Sequence, residues 1–177
     1  MSRPDHYALA LIGVDRPGIV ASVTGALAAL GCNLEDVSTS LLRGHFAMVV
    51  EFSAPPGADF GVIRSELLGR SRALDLHLEV WRLSERDASG AATHVLTVHG
   101  PDQLGIVATI AETLAAHGAN IREMTCAREA GASPTYAVTM EVEVPGPAAA
   151  PLQRELRRAA DSLRLRLTLE PIEQFVL

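Results

Sequence analysis

Two short segments of the chain combine residue types that could bind a free amino acid. They read Gly13-Val14-Asp15-Arg16-Pro17-Gly18-Ile19-Val20 and Gly100-Pro101-Asp102-Gln103-Leu104-Gly105-Ile106-Val107. An aspartate carboxylate can accept a hydrogen bond from an ammonium group, and a glycine without a Cβ lets a ligand approach the backbone. The N–H groups at the start of a following helix can hold a carboxylate, helped by the helix dipole. Both segments therefore predict a site for a molecule that carries an ammonium and a carboxylate group.

One asparagine accompanies each segment. Asn33 and Asn120 each follow a glycine at the predicted end of the helix, and each offers an amide donor and an acceptor. A purely structural interpretation stays open for each residue. Asp15 could cap its helix, Gly18 could permit tight packing of the strand on the helix, and Asn33 could lie in a turn.

The two segments belong to a long internal repeat. At a constant offset of 87 residues, 12 of the 33 pairs from Tyr7 to Thr39 are identical. The second copy then carries three extra residues around Gly131 to Pro134, after which Phe46 aligns with Tyr136. A repeat of this length predicts a duplicated domain rather than a solenoid. We expect domains at residues 5–83 and 92–173 with a linker at 84–91, whose small and charged residues lack apolar periodicity.

Each copy shows the same order of predicted elements. The apolar run from Tyr7 to Gly13 predicts a buried strand, and Val20, Val23, Leu27 and Leu30 fall on one face of a following helix. Two strands with a turn at Arg43-Gly44, a helix over Asp59 to Arg72 and a strand over Leu74 to Arg82 complete the unit. The order βαββαβ, found twice, predicts an α+β protein of two ferredoxin-like units. Each has a four-stranded antiparallel sheet with two helices on one face.

The opposite face of the first sheet is mixed in character. It should present small apolar residues together with polar ones and one tryptophan: Ala8, Ala10, Ile12, Ala47, Val49, Glu51, His77 and Trp81. Such a face is often covered by another sheet. We therefore predict a contact surface without assigning its occupant.

Composition excludes several classes of function. The formal net charge is −6, and all 15 basic residues are arginine, which argues against direct nucleic-acid binding and excludes lysine chemistry. The two cysteines form no CxxC motif and the six histidines have no ligand spacing, so we expect no metal and no cofactor. No signal peptide or membrane segment is recognisable, which predicts a cytoplasmic protein.

The segment Asp15-Arg16-Pro17-Gly18-Ile19-Val20, with Gly31-Cys32-Asn33-Leu34 after the helix, resembles an ACT domain. Asp102-Gln103-Leu104-Gly105-Ile106-Val107 with Gly118-Ala119-Asn120-Ile121 resembles it nearly as well, although Gln103-Leu104 replaces Arg-Pro. The tandem pair is similar to the glycine cleavage system transcriptional repressor family.

The resemblance implies a non-catalytic regulator that senses a small amino acid where ACT units pair, within a homodimer. Its effect on transcription would pass through a regulatory protein partner. The candidate ligand-binding residues are Asp15, Arg16, Gly18, Ile19, Asn33, Asp102, Gly105, Ile106 and Asn120.

Two other classes of function are alternatives to an amino-acid sensor. The first is a protein-interaction or dimerisation module with ligand-free loops, for which the mixed sheet face and Trp81 would be the functional surface. The second is an enzyme, which we do not expect because no nucleophile, base and orienting residue can be assembled from the spacing. The sequence does not fix the identity of the amino acid, the number of working sites, the regulated target, or whether the ACT units pair within one chain or between two.

Overall fold

The computed structural model describes residues 4–84, 90–129 and 135–172. The chain divides into two compact units, Met1–Ala88 and Ser89–Leu177. The predicted linker at 84–91 falls largely on residues 85–89, which lie outside the described residues. The three extra residues of the second copy, predicted around Gly131 to Pro134, also lie outside them.

The first unit has the predicted βαββαβ order. Its elements are β1 (Asp5–Val14), α1 (Ile19–Ala29), β2 (Asn33–Leu42), β3 (His45–Ala54), α2 (Phe60–Ala73) and β4 (Leu76–Arg82). The strands form an antiparallel sheet in the order β2-β3-β1-β4, so β2 and β4 are the edge strands. The β2–β3 turn has positive φ at Arg43 (49°) and Gly44 (79°), as a two-residue hairpin turn requires.

The second unit repeats this order. Its elements are β5 (His94–Pro101), α3 (Ile106–Ala116), β6 (Asn120–Glu129), β7 (Thr135–Glu143), α4 (Ala149–Ser162) and β8 (Arg166–Pro171). A short 3-10 turn, Gly146–Ala148, precedes α4. The sheet order is β6-β7-β5-β8. The predicted α+β class with two tandem ferredoxin-like units is confirmed.

One core lies between the sheet and helices of each unit. In the first unit, Met48, Val50 and Phe52 of β3 all point to the helices, as their alternation predicts. Tyr7 packs between Phe52 and Phe60, with ring centroids 5.6 Å and 5.0 Å away. The second core is built largely of aliphatic side chains, including Leu96, Ile110, Leu114, Met140, Leu152 and Leu156. The two cores therefore occupy equivalent positions, and some of these, such as Leu27 and Leu114, carry the same residue.

Two details of the sequence-based prediction are wrong. Val20 is exposed, and the buried face of α1 is formed by Ile19, Val23, Ala26 and Leu27. The last strand of each unit also begins later than the apolar alternation starting at Leu74 or at Leu163 predicts, because these two leucines cap the preceding helices. The residues that follow, Asp75 and Arg164, have left-handed φ values of 51° and 54°, which separate helix from strand.

Candidate functional site

The loop between β1 and α1, like the equivalent loop of the second unit, has a backbone conformation that favours glycine. Gly18 has a φ of +95° and stands immediately before the helix, and Gly105 has a φ of +89° at the same place in the second unit. L-residues with a side chain rarely adopt this conformation. A Cβ at either glycine would meet no atom within 4 Å, so the space above both positions is open. Both loops thus leave the backbone accessible at the helix N-terminus.

Asp15 does not cap α1, contrary to the structural interpretation considered for it. The residue at the cap position is Gly18, and no side chain of the described residues caps the helix. Asp15 instead follows the end of β1, and its backbone N–H donates to the Gly44 carbonyl at 2.9 Å. Its side chain is exposed and has no hydrogen-bond or ion-pair partner among the described residues. The carboxylate of Asp15 is therefore available to a ligand.

Asp102, the equivalent residue of the second unit, is paired. Its Oδ2 lies 2.6 Å from Nη2 of Arg128, and its side chain is only 24% exposed. The neighbouring Gln103 donates through Nε2 to the carbonyl of Leu163 at the end of α4. The second loop is consequently held by two side-chain contacts.

A tyrosine and a cysteine stand beside this ion pair. A hydrogen bond with Cys126 is the main cause that raises the pKa of Tyr136, and burial, Cys126 and Asp102 raise it further. Arg128 acts in the opposite direction and lowers that pKa. Sequence reasoning left Arg128 and Tyr136 out of the candidate site. The repeat alignment does single out these two residues, because the first unit has apolar residues at the equivalent positions.

Asn33 and Asn120 are the first residues of β2 and β6, two positions after the predicted helix-ending glycines. Gly31 and Gly118 have φ values of +72° and +69°, and α1 ends with hydrogen bonds from Cys32 N–H to the Leu27 carbonyl and from Gly31 N–H to Ala28. This is the Schellman arrangement, which confirms the glycine helix stop.

Asn33 takes part in a small polar cluster. Its Nδ2 donates to Oε1 of Glu35 at 3.2 Å, and the Ser53 hydroxyl donates to the same oxygen at 2.6 Å. These two hydrogen bonds, with Ser53 the larger cause, lower the pKa of Glu35. The cluster holds a carboxylate beside the Asn33 amide.

The second unit has a different arrangement at the same place. Arg122 stands where the first unit has Glu35, and its Nη2 pairs with Oε2 of Glu143. Nε of Arg122 is buried and has no hydrogen-bond partner within the described part of the chain. Asn120 remains exposed at the start of β6. The asparagine is thus retained, but its charged neighbour has changed sign.

Within one unit the structure does not bring Asp15 and Asn33 together. They lie at opposite ends of the 11-residue helix α1, which is about 16 Å long at 1.5 Å per residue. The sheet leads to the same conclusion. Asn33 is level with Ser53 and His6, Asp15 follows Val14, and His6 and Val14 are separated by roughly 26 Å of strand. A ligand that contacts both residues must therefore contact two units.

The open sheet face of the first unit is apolar at its centre. Ile12, Val49 and Trp81 are 49%, 50% and 39% exposed, and Ala10 lies between Val49 and Glu79 in the sheet. Ala8 is an exception to the prediction, because it is buried. The equivalent face of the second sheet carries mainly polar and charged residues, including Thr97, His99, Thr139, Glu141, Arg166, Thr168 and Glu170.

Other features of the described residues are less informative. An open groove of about 440 Å³ lies between α1 and α2, and none of the candidate residues lines it. The described residues contain no group of three or more His, Cys, Asp or Glu that could hold a metal ion. Among them there is also no helix long and apolar enough to cross a membrane.

A family model for the ACT domain matches residues 8–81 and 93–170. The chain belongs to the ACT domain family. Each match spans one of the loops described above and the helix that follows it. The loop of the first ACT domain therefore contains Asp15 and Gly18, and the loop of the second contains Asp102 and Gly105. The predicted identity as a tandem ACT-domain protein is confirmed.

Single ACT domains of this chain resemble short bacterial and archaeal proteins. A UPF0237 protein of Methanopyrus kandleri is 38% identical over 82 residues, covering 43% of this chain and 91% of the relative. A UPF0237 protein of Streptococcus pneumoniae is 32% identical over 72 residues, covering 41% of this chain and 82% of the relative. These relatives therefore align with about one domain.

Two solved structures match both domains. An unknown protein from Galdieria sulphuraria has a TM-score of 0.85 and 26% identity, and the match covers 97% of this chain and 100% of that one. A protein described as a proposed glycine cleavage system transcriptional repressor has a TM-score of 0.77 and 20% identity over 98% and 100% of the two chains. The second match demonstrates the same tandem fold.

Proposed function

We propose that this tandem ACT protein is a non-catalytic regulator that binds a small amino acid. The observation that carries the proposal is the exposed carboxylate of Asp15, which has no partner among the described residues and lies in the loop before the α1 N-terminus, where no described side chain caps the helix. An α-amino acid presents an ammonium and a carboxylate a few ångströms apart, and the loop offers a partner for each.

Each loop residue has a distinct role in this proposal. Asp15 accepts hydrogen bonds from the ammonium group, and the first backbone N–H groups of α1, starting at Ile19, donate to the carboxylate. Gly18 keeps the approach open because it has no Cβ. Arg16, which is exposed next to Asp15, is a second donor for the carboxylate.

Asn33 contributes from a second ACT domain. Because Asp15 and Asn33 lie at opposite ends of α1, the complete site forms only where two domains meet. The edge strand β2 is exposed along all ten residues, including Val37 and Leu41. A long, exposed edge strand with apolar side chains readily pairs with another strand. We therefore propose that the protein is a homodimer whose domain pairing completes the site.

Ligand binding would act on a protein partner in the cytoplasm. A ligand that bridges two domains stabilises the arrangement to which it binds more tightly, and this shift is what a partner can recognise. The net charge of −6 disfavours direct contact with nucleic acid. One structural relative is described as a proposed glycine cleavage system transcriptional repressor, which motivates a role in transcriptional regulation of amino-acid metabolism.

Thermal unfolding in the presence of each of the twenty standard amino acids tests this proposal. A ligand at about 100 times its dissociation constant adds about 2.7 kcal/mol to the stability of the folded state. That should raise the unfolding midpoint by roughly 5–10 °C for a protein of this size. No shift with any amino acid would contradict the proposal.

Matched variants locate the site. Asp15→Asn and Asn33→Ala should each reduce the shift, because each removes one side-chain contact to the ligand. Glu79→Gln removes the same charge as Asp15→Asn at an exposed sheet position and should leave the shift unchanged. Equal responses of the Asp15 and Glu79 variants would place the ligand elsewhere.

A second candidate function is a protein-interaction module with empty loops. The exposed apolar residues Ile12, Val49 and Trp81 on one sheet face favour it. In that case Trp81→Ser should weaken self-association or partner binding, as measured by sedimentation, while Asn33→Ala should change neither. A ligand response that depends on Asn33 would favour the sensor instead.

A further inference from the structure

The β1–α1 and β5–α3 loops have a similar backbone conformation but differ in the side chains around their aspartates. In the first domain Leu41 pairs with Phe46 at the end of the β2–β3 hairpin. In the second, Arg128 pairs with Tyr136 at the same register position of β6 and β7. Because the two pairs have the same register, Leu41 in the first domain and Arg128 in the second occupy equivalent positions. Asp15 and Asp102 each follow the strand that lies beside the hairpin.

Arg128 places a cation on Asp102. The ion pair measures 2.6 Å, and the Arg128 side chain is 70% exposed. The Gln103 hydrogen bond to Leu163 ties the next residue of the loop to the end of α4. In the first domain, Leu41 is 62% exposed and uncharged, and neither Asp15 nor Arg16 has a side-chain partner among the described residues.

We propose that Arg128 occupies the ammonium position of the second loop, so that the chain binds an amino acid preferentially at the first. This inference rests on the proposed function, because it concerns which copy of the same site works. The guanidinium supplies in the second domain the positive charge that a ligand would bring to the first.

The physical reason is competition for one carboxylate. An incoming ammonium must displace Arg128 from Asp102, and afterwards the two cations remain close to each other and repel. Exposed ion pairs are weak individually, so the competition lowers affinity without abolishing it. With the added cost of releasing Gln103, we expect the second loop to bind about tenfold more weakly than the first.

Backbone amide NMR can read both loops in one sample. The full chain, labelled with ¹⁵N, is titrated with each standard amino acid, and the shifts of the Ile19 and Ile106 amides give a dissociation constant for each loop. In the wild-type protein, Ile19 should respond at about tenfold lower ligand concentration than Ile106. Two variants exchange the residues: Arg128→Leu should tighten the second loop about tenfold, and Leu41→Arg should weaken the first by a similar factor.

Controls distinguish the possible results. Arg154→Leu removes the same charge from an exposed position on α4 and should change neither constant. Arg128→Gln serves as a milder substitution should Arg128→Leu fail to fold. Equal constants for the two loops in the wild-type protein, or no change at Ile106 in both Arg128 variants, would overturn the inference while leaving the proposed function intact. No response of either loop in any variant would overturn both.

Discussion

The loops of the two ACT domains have an aspartate and a glycine in common but differ in the side chain that pairs with the aspartate. Both keep an aspartate after the first strand and a left-handed glycine before the helix. The partner of the aspartate has changed: no side chain of the described residues pairs with Asp15, whereas Arg128 pairs with Asp102. After a duplication, the positions that fix the backbone tolerate few residues, whereas a neighbouring exposed strand position can change freely. Similar loops therefore do not imply equal sites.

The sheet faces differ in the same way. The first domain exposes Ile12, Val49 and Trp81, whereas Thr97, Thr139 and Arg166 lie on the corresponding face of the second. Both helix-facing sides remain apolar, because each must bury a core of its own. The exposed faces therefore differ in polarity while both interiors stay apolar, and equal substitutions at buried positions that carry the same residue in both domains should have similar effects.

The largest expected effect tests the shared interior. Leu27 and Leu114 occupy equivalent helix positions and are fully buried. Leu27→Ala and Leu114→Ala should each destabilise the domain that contains them by about 2–5 kcal/mol, through lost transfer free energy and the cavity left behind. Urea unfolding followed by far-UV circular dichroism measures this. A cost well under 1 kcal/mol at only one of the two positions would show that the cores are not equivalent.

A close approach between strands gives the next effect. A Cβ at Gly13 would lie 2.4 Å from Cδ2 of Leu76, and one at Gly100 would lie 2.6 Å from Cδ2 of Leu165. Gly13→Ala and Gly100→Ala should each cost about 1–3 kcal/mol, because the leucine side chain must change its conformation and the new Cβ would also lie 3.2 Å and 3.3 Å from the backbone carbonyl oxygens of Asp75 and Arg164. The same unfolding experiment measures both variants. If one of them unfolds at the wild-type urea concentration, its domain has room that the structure does not show.

The loop glycines should respond more weakly. Gly18→Ala and Gly105→Ala introduce no clash within 4 Å but force an L-residue into positive φ. The expected cost is about 1–2 kcal/mol in each domain, arising from backbone strain alone. Gly25→Ala, an exposed helical position that also has open space around it, is the control and should not destabilise. Equal midpoints for all three variants would contradict the role assigned to the loop backbone.

Most of the fold could be predicted from the sequence because its signals are local. Alternating apolar residues defined β3, and the glycines after α1 and α3 marked the helix ends correctly. The start of β4 was misplaced because Leu74 continues the alternation of Leu76 and Leu78, although it belongs to the end of α2. A period of two cannot separate a helix cap from a strand residue when the cap lies two positions before the strand begins.

The site could be predicted only in part. Asp15 and Gly18 stand out because they recur in both copies, but recurrence does not reveal which aspartate is already paired. The Asp102–Arg128 ion pair joins residues 26 positions apart in the chain, and it follows from strand register rather than from any motif. Likewise, the separation of Asp15 from Asn33 becomes visible only when both ends of α1 are placed.

The smallest predicted effect concerns the asparagine end of the first domain. Hydrogen bonds from Ser53 and Asn33 lower the pKa of Glu35, so their stabilising contribution is present above the unfolded-state pKa and is lost as the pH falls through the folded one. Ser53→Ala should therefore lower the free energy of unfolding at neutral pH. This difference should shrink below the ordinary glutamate pKa of about 4.3.

Ser40→Ala, on the exposed β2, provides a control without such a pH dependence. Urea unfolding of both variants from neutral to acidic pH measures the difference, and a Ser53→Ala effect of constant size would show that Glu35 is not its source. The second domain has Arg122 at the position of Glu35 and Glu143 at that of Ser53, so the hydrogen bond tested here has no counterpart at those two positions.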